Sequence, residues 1–373
     1  MTRPDDAAER ARVVHVVLPG GITGPTAPSG GNTYDLRVCR DLPDLGWRVR
    51  RLAAPGTWPR PDRAATAGLA RRLAELPDGA VVLLDGLVAC GVPDVLAPEA
   101  ARLRTAVLVH LPLADETGLA PGVAADLDAR ERRALHTVRA VVATSEWAAG
   151  RIRAHHGLAA SRVAVARPGV DAAPQATGTD GAGRLLCVAA LTPRKGHHRL
   201  VDALLTLAGD FPWTCDLVGG AGRDARYADE LRQKVRKSGL GGRIRFAGPR
   251  AATELDAYYA AADLLVLTSY AETYGMVLTE ALARGIPVLA TAVGGVPEAV
   301  GTAPDGSVPG LLVPDGEPAA LGAALRAWFD DAGLRRRLTI SARGRRAMLE
   351  GWEMTSHGLA EVLERLRDEP WSR

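Results

Sequence analysis

The sequence predicts an α/β chain of two successive domains, each built on a parallel sheet. Three observations lead there. Short continuous apolar runs recur along the chain, among them Val13 to Leu18, Val81 to Leu84 and Leu264 to Leu267, and strands covered on both faces are apolar throughout rather than alternating. Each run leads into a glycine- or proline-bearing loop and then a helical stretch, which is the order of a strand-helix-strand unit. The length, 373 residues, exceeds one ordinary core and fits two domains.

Composition narrows the classes. A hydrophobic share of 47% supports packed cores rather than disorder. Net charge is only +3, which argues against nucleic acid as a partner and against a strongly anionic membrane. Cys39, Cys90, Cys187 and Cys215 are scattered, with no histidine at ligand spacing. They read as reduced core thiols, with no metal site, in a cytoplasmic protein. The polar, acidic start around Asp5 and Asp6 is unlike a signal peptide, and no apolar run approaches the ~18 residues of a membrane span.

In chain order, Val13 to Leu18 is the first strand, followed by a glycine-rich loop that ends in Ser29-Gly30-Gly31-Asn32. A helix from about Thr33 should stop at Gly46, kinked or shortened by Pro43. Ala80 to Asp85 and Thr105 to His110 are further strands, and His110 closes the second of these. Ligands of open parallel sheets collect at carboxyl ends of strands, so His110 is well placed. Ser145 reads as a helix cap after the strand Ala140 to Ala143. The stretch Ala172 to Gly183 is small, polar and without periodicity, and marks a linker. The expected division is therefore 1–172, a linker over 173–183, a second domain over 184–351, and a final segment over 352–373.

The second domain opens with a strand from Arg184 and the turn Leu191-Thr192-Pro193-Arg194-Lys195-Gly196. Cys215 to Val218 leads into Gly219-Gly220-Ala221-Gly222, which could pass for a dinucleotide loop. The acidic residue expected about 20 positions later is missing there. The most informative stretch runs from Asp263 to Val300: strand, loop, helix to Arg284, stop at Gly285, and strand again. Glu272 precedes this helix and Glu280 lies inside it, at most ~12 Å apart along the axis. Backbone amides near Gly275, Met276 and Val277 lack helical partners and favour an anion. A carboxylate accepts hydrogen bonds from sugar hydroxyls. The pattern suits a ligand with a phosphate in the middle and a polyol at each end, as in a nucleoside diphosphate sugar.

The string Glu272-Thr-Tyr-Gly-Met-Val-Leu-Thr-Glu280, followed by Ala281 to Val288 and the turn Gly294-Gly295-Val296-Pro297-Glu298, resembles the large family 4 of retaining glycosyltransferases. That resemblance implies the GT-B arrangement, two Rossmann-like domains facing across a cleft, with the segment from Trp352 through the helix Ser356 to Arg367 crossing back to the first domain. It implies that Gly30 and Gly31 approach the donor diphosphate and that His110 lies near the transferred sugar. Glu280 would hold the ribose, and Glu272 the sugar. Thr273, Tyr274, Gly275, Met276 and Val277 would line the donor, Gly219 and Gly220 would form its loop, and Phe246 and Ala247 would seat the base. The family usually has an arginine at the place of Ala190, so Arg194 and Lys195 are the visible cations for the diphosphate. A guanidinium grips two oxygens and an ammonium acts as a point charge.

The expectation is a retaining, metal-independent transferase with the nucleotide sugar as co-substrate, no other cofactor and an unidentified acceptor. Two rivals stand beside it, a nucleotide-sugar epimerase on the same fold and a non-catalytic nucleotide-sugar binding protein. The arginines Arg335, Arg336, Arg337, Arg343, Arg345 and Arg346 read as a solvated face, which leaves room for a weak peripheral membrane contact.

Overall fold

The computed structural model describes residues 12–22, 29–179, 181–222 and 224–369. They fall into two compact units, one made of 12–22, 30–168 and 352–369, the other of Ser29 and the stretch from Gly169 to Gly351. In the first unit six strands form one parallel sheet: β1 (Val13–Pro19), β2 (Arg48–Ala54), β3 (Val81–Asp85), β4 (Arg104–Val109), β5 (Ala140–Ala143) and β6 (Val163–Val165). Their spatial order is β2-β1-β3-β4-β5-β6. The chain reverses its direction of winding between β1 and β3, and such a switch point leaves a crevice at the carboxyl ends of the two strands. Every residue of β3 is buried, which is why the sequence there shows no alternation.

Two local expectations change. The first helix begins at Gly30, not Thr33, and ends at Asp41. Gly30 and Gly31 therefore belong to its first turn rather than to a loop. The helix also ends at Asp41 rather than running to Gly46: Pro43, with no N–H to donate, shortens it as expected, and a 3-10 turn, Leu42–Leu45, takes over. The last helix, Trp352–Asp368, belongs to this first unit and buries Leu359, Leu363 and Leu366. Burying side chains of this size contributes roughly 1.5–3 kcal/mol each. Its first residue sets the Trp352 ring edge-on to Tyr34 at 5.8 Å, and the Thr355 hydroxyl donates to the Arg167 carbonyl at 2.7 Å.

The second unit repeats the plan with β7 (Arg184–Val188), β8 (Thr214–Val218), β9 (Ile244–Gly248), β10 (Leu264–Leu267), β11 (Val288–Thr291) and β12 (Gly310–Val313). The order β12-β11-β10-β7-β8-β9 puts its switch point between β7 and β10. The stretch expected as a linker is irregular but held down. Ala176 donates to the Arg284 carbonyl at 2.9 Å, and Gly178 to that of Ala260 at 3.0 Å. The Thr179 hydroxyl binds the Asp263 carboxylate. Part of the C-terminal arginine set also has structural work: Arg335 caps the carbonyls of Trp328 and Phe329, Arg345 that of Val300, and Arg346 that of Ala283. Among the described residues no helix is long and apolar enough to cross a membrane.

Candidate active site

Arg194, Lys195 and Glu272 gather where β7 and β10 end. The loop after β7 makes a 3-10 turn, Pro193–Lys195, closed by Gly196 in the left-handed region. A Cβ on Gly196 would meet the Thr268 carbonyl oxygen at 2.1 Å. Only glycine lets the loops after the two strands touch, and the Thr268 hydroxyl then donates to the Gly196 carbonyl at 2.9 Å. Tyr270 N–H donates to the Arg194 carbonyl at 2.8 Å, and the Arg194 guanidinium returns a bond to the Ala271 carbonyl at 2.9 Å. This lacing aims Lys195 and Arg194 at Glu272.

Glu272 is 7% exposed. Its Oε1 accepts from the Lys195 ammonium and, at 2.7 Å, from the Ser269 hydroxyl, while Arg194 stands 3.9 Å from Oε2. Burial alone would raise the carboxyl pKa, but the charges of Lys195 and Arg194 and the bonds from Lys195 and Ser269 outweigh it, and Glu272 titrates below the usual glutamate range. Loss of hydration lowers the Lys195 pKa even though Glu272 opposes the change. Within the loop, Gly295 N–H donates to the Glu272 carbonyl at 2.9 Å, and Tyr274 is buried.

The helix that follows spans only Met276–Leu282, with Gly275 at its cap in the left-handed conformation. Seven residues make a weak dipole, so the attraction for an anion rests on Arg194 and Lys195 more than on amides near Gly275, Met276 and Val277. Thr273, Met276 and Val277 are half-buried. Glu280 accepts from the Tyr259 hydroxyl at 2.6 Å. Its pKa is raised because burial exceeds the opposing pull of Tyr259 and Arg284. Gly219 and Gly220 lie against the β7 loop, Leu191 donating to the Gly220 carbonyl at 2.9 Å. A Cβ on Gly219 would fall 1.8 Å from the Ala189 oxygen, so this glycine serves the contact between two backbones. Ala190, where the resemblance leads one to look for an arginine, lies in the same contact and accepts from Thr192 N–H at 2.8 Å. Phe246 and Ala247 sit apart, on edge strand β9. Phe246 lines a groove with Arg232, Arg236 and Arg243, and Arg232 stacks over its ring at 5.6 Å.

In the first unit, His110 follows β4 beside that unit's own switch point. Its Nε2 lies 2.8 Å from Asp35 Oδ1 and 3.8 Å from Asp85 Oδ2. Gly31 packs on the ring, where a Cβ would come within 3.2 Å. Gly30, at the start of the same helix, is exposed.

Sequence reasoning missed Ser269, Asp35 and Asp85. Ser269 was within reach, three residues before Glu272 in a strand-end loop. The two aspartates lie 75 and 25 positions from His110, and only the strand order brings them together.

Two parallel sheets, each with a switch point, and a buried cation-carboxylate cluster at the second of them define a protein of the GT-B glycosyltransferase fold. Residues 172–345 match the family described as glycosyl transferases group 1. A relative from Kineococcus radiotolerans, named D-inositol 3-phosphate glycosyltransferase, is 36% identical over 56% of this chain and 53% of its own length. The chain thus spans about half the length of the curated relatives it matches. The sucrose-phosphate synthase structure from Thermosynechococcus elongatus superposes with a TM-score of 0.75 at 20% identity, covering 95% of this chain and 99% of that one. Anabaena HepE, solved in complex with UDP-glucose, gives 0.72 at 20% identity over 94% and 99%. At those identities the likeness concerns the fold.

Proposed function

We propose that the protein moves a sugar from a nucleoside diphosphate sugar to an acceptor hydroxyl, with retention and without a metal. The observation that carries the reading is the convergence of Arg194, Lys195 and Glu272 at the β7–β10 switch point. As the glycosidic bond breaks, charge grows on the leaving diphosphate, and fixed cations in a partly dry site stabilise it. Lys195 and Arg194 are the proposed cations. Glu272, held ionised by Lys195, is the proposed acceptor for sugar hydroxyls, since charge-assisted hydrogen bonds are about twice as strong as neutral ones. Glu280 is assigned to the ribose, with its carboxylate oriented by Tyr259. Gly30, Gly31, Gly219, Gly220, Phe246 and Ala247 complete the proposed donor-side set. His110 is assigned to the transferred sugar, and attack on the same face, assisted by the leaving phosphate, is the proposed route.

UDP-glucose is the first donor to try, because the Anabaena structure holds it. Inositol 3-phosphate is the first acceptor, because it appears in the name of the Kineococcus relative. Incubation with donor alone and then with acceptors, with and without EDTA, followed by NMR of the anomeric signals, tests the reading. Transfer with the α-configuration kept, and unaffected by EDTA, is the expected result. Isomerised donor in the absence of acceptor would mark an epimerase, and binding without turnover a non-catalytic protein. Activity lost to EDTA and restored by a divalent ion would contradict the metal-free route.

A further inference from the structure

The first unit holds two buried carboxyl groups beside His110 that the proposed donor site does not use. Asp35, from the first turns of the helix Gly30–Asp41, and Asp85, the last residue of β3, are 3% exposed each. They lie within hydrogen-bonding reach of each other; Asp35 hydrogen-bonds His110 Nε2 at 2.8 Å, and Asp85 faces the same nitrogen at ion-pair distance, 3.8 Å. Two carboxylates so close in a dry site cannot both ionise comfortably. The hydrogen bonds point the same way. Asp85 Oδ1 accepts from Leu87 N–H at 2.6 Å, whereas Asp35 Oδ2 is buried with no donor. A proton on Asp85 supplies that donor. Burial, and then the charge of Asp35, raise the Asp85 pKa to about 7. The His110 pKa is also raised: burial works against it, and Asp35 and Asp85 overcome burial.

We propose that Asp35 and Asp85 are positioning residues for His110, a carboxyl pair sharing one proton that fixes the imidazole through Nε2 and keeps it charged. Gly31 belongs to the same device, since a Cβ there would crowd the ring at 3.2 Å. The other titratable groups facing the cluster are Tyr34, edge-on to the ring at 5.2 Å with its hydroxyl donating to Ala166, and the buried thiols of Cys39 and Cys90. Burial first, then the nearby carboxylates, raises the pKa of all three, so they stay neutral where His110 titrates. A charged, fixed imidazole is a donor for an oxygen of the substrate, not a base. This catalytic consequence rests on the glycosyltransferase reading, whereas the charge and geometry do not.

The test is a pH titration of the His110 ring by NMR in the full chain, labelled at histidine and assigned with His110→Gln. In the unmodified protein His110 should titrate above the ordinary histidine range, with an inflection near pH 7 from Asp85. Asp35→Asn should lower its proton affinity at least about tenfold, equivalent to one pKa unit. Asp85→Asn keeps an acceptor for Leu87 and a donor for Asp35, so it should fold, keep the high titration and lose the inflection. The pH profile of kcat/KM should move with the ring in Asp35→Asn. An unshifted ring in Asp35→Asn, or an inflection that survives in Asp85→Asn, overturns the proposal. Shifted titrations with no sugar transfer to any acceptor would sink the functional reading and leave the carboxyl pair standing.

Discussion

Replacing Lys195 with methionine removes the charge that neutralises Glu272 and keeps most of the side-chain volume. The carboxylate left behind is 7% exposed, with the Ser269 hydroxyl at 2.7 Å and Arg194 at 3.9 Å as its remaining help. Removing one partner of a buried pair costs about 3–5 kcal/mol, mostly because the other charge stays uncompensated. Arg194 places the cost near the lower bound, about 3 kcal/mol. A unit of this size loses roughly 2–4 °C per kcal/mol, so its calorimetric transition should fall by about 6–12 °C. Glu272→Gln in the same background removes the stranded charge and should restore most of that loss. The coupling in the double-mutant cycle should then be about 2 kcal/mol. The pH dependence has a fixed sign. Glu272 titrates below its ordinary value in the folded chain, so its contribution is present above pH 4.5 and is lost as pH falls through the folded value. The Lys195→Met deficit should be largest near pH 7 and shrink on acidification. Single and double variants of equal stability at pH 7, with coupling under about 0.5 kcal/mol, would refute the idea that Lys195 holds Glu272 ionised.

Three further outcomes are expected. Gly219→Ala drives a Cβ to 1.8 Å from the Ala189 oxygen, so the loops after β7 and β8 must part; a transition lowered by less than about 1 kcal/mol equivalent would show that the contact gives way easily. Tyr259→Phe removes the hydrogen bond to Glu280 and should cost about 1 kcal/mol of stability and weaken nucleotide binding several-fold by calorimetry; equal affinity would count against Glu280 as a ribose ligand. Asp85→Asn should gain stability over the unmodified protein as pH rises. The folded Asp85 titrates near 7 against an ordinary 3.8, so its stabilising contribution is present below pH 3.8 and lost by pH 7. The relative gain is on the order of a few kcal/mol between pH 5 and pH 8, and a flat difference across that range would exclude a proton shared at this site.

Both parallel sheets were legible because a buried strand must be apolar along its whole length, and runs such as Leu264 to Leu267 have no competing helical period. Glu272 and Glu280 were legible because their spacing and surroundings form one continuous string. Ser145 as a helix cap was legible for the same local reason, and its side chain accepts from Ala148 N–H at 3.0 Å. What escaped depends on contacts between distant segments. Asp35, Asp85 and His110 belong to three separate elements, and nothing local to any of them reports the other two. Tyr259 reads as a core residue and is one, but its hydroxyl also binds Glu280, 21 positions away. The arginines from Arg335 to Arg346 read as a solvated face because sequence pattern does not reveal which distant backbone carbonyls lack donors. Gly30 and Gly31 read as a loop because glycine disfavours helices, yet both lie in the first turn of the helix, and at Gly31 a Cβ would crowd the His110 ring at 3.2 Å.

In the proposed function the ends of β7 and β10 hold a diphosphate through Lys195 and Arg194. Calorimetric titration of the unmodified protein and of Lys195→Met with UDP and with uridine tests it most directly. The unmodified protein should bind UDP at least about 100-fold more tightly than uridine, and Lys195→Met should lose about tenfold or more of that preference while its weak affinity for uridine stays the same, as expected for one charge-assisted bond of roughly 1.5–3 kcal/mol. An equal preference for UDP in both proteins would contradict the claim.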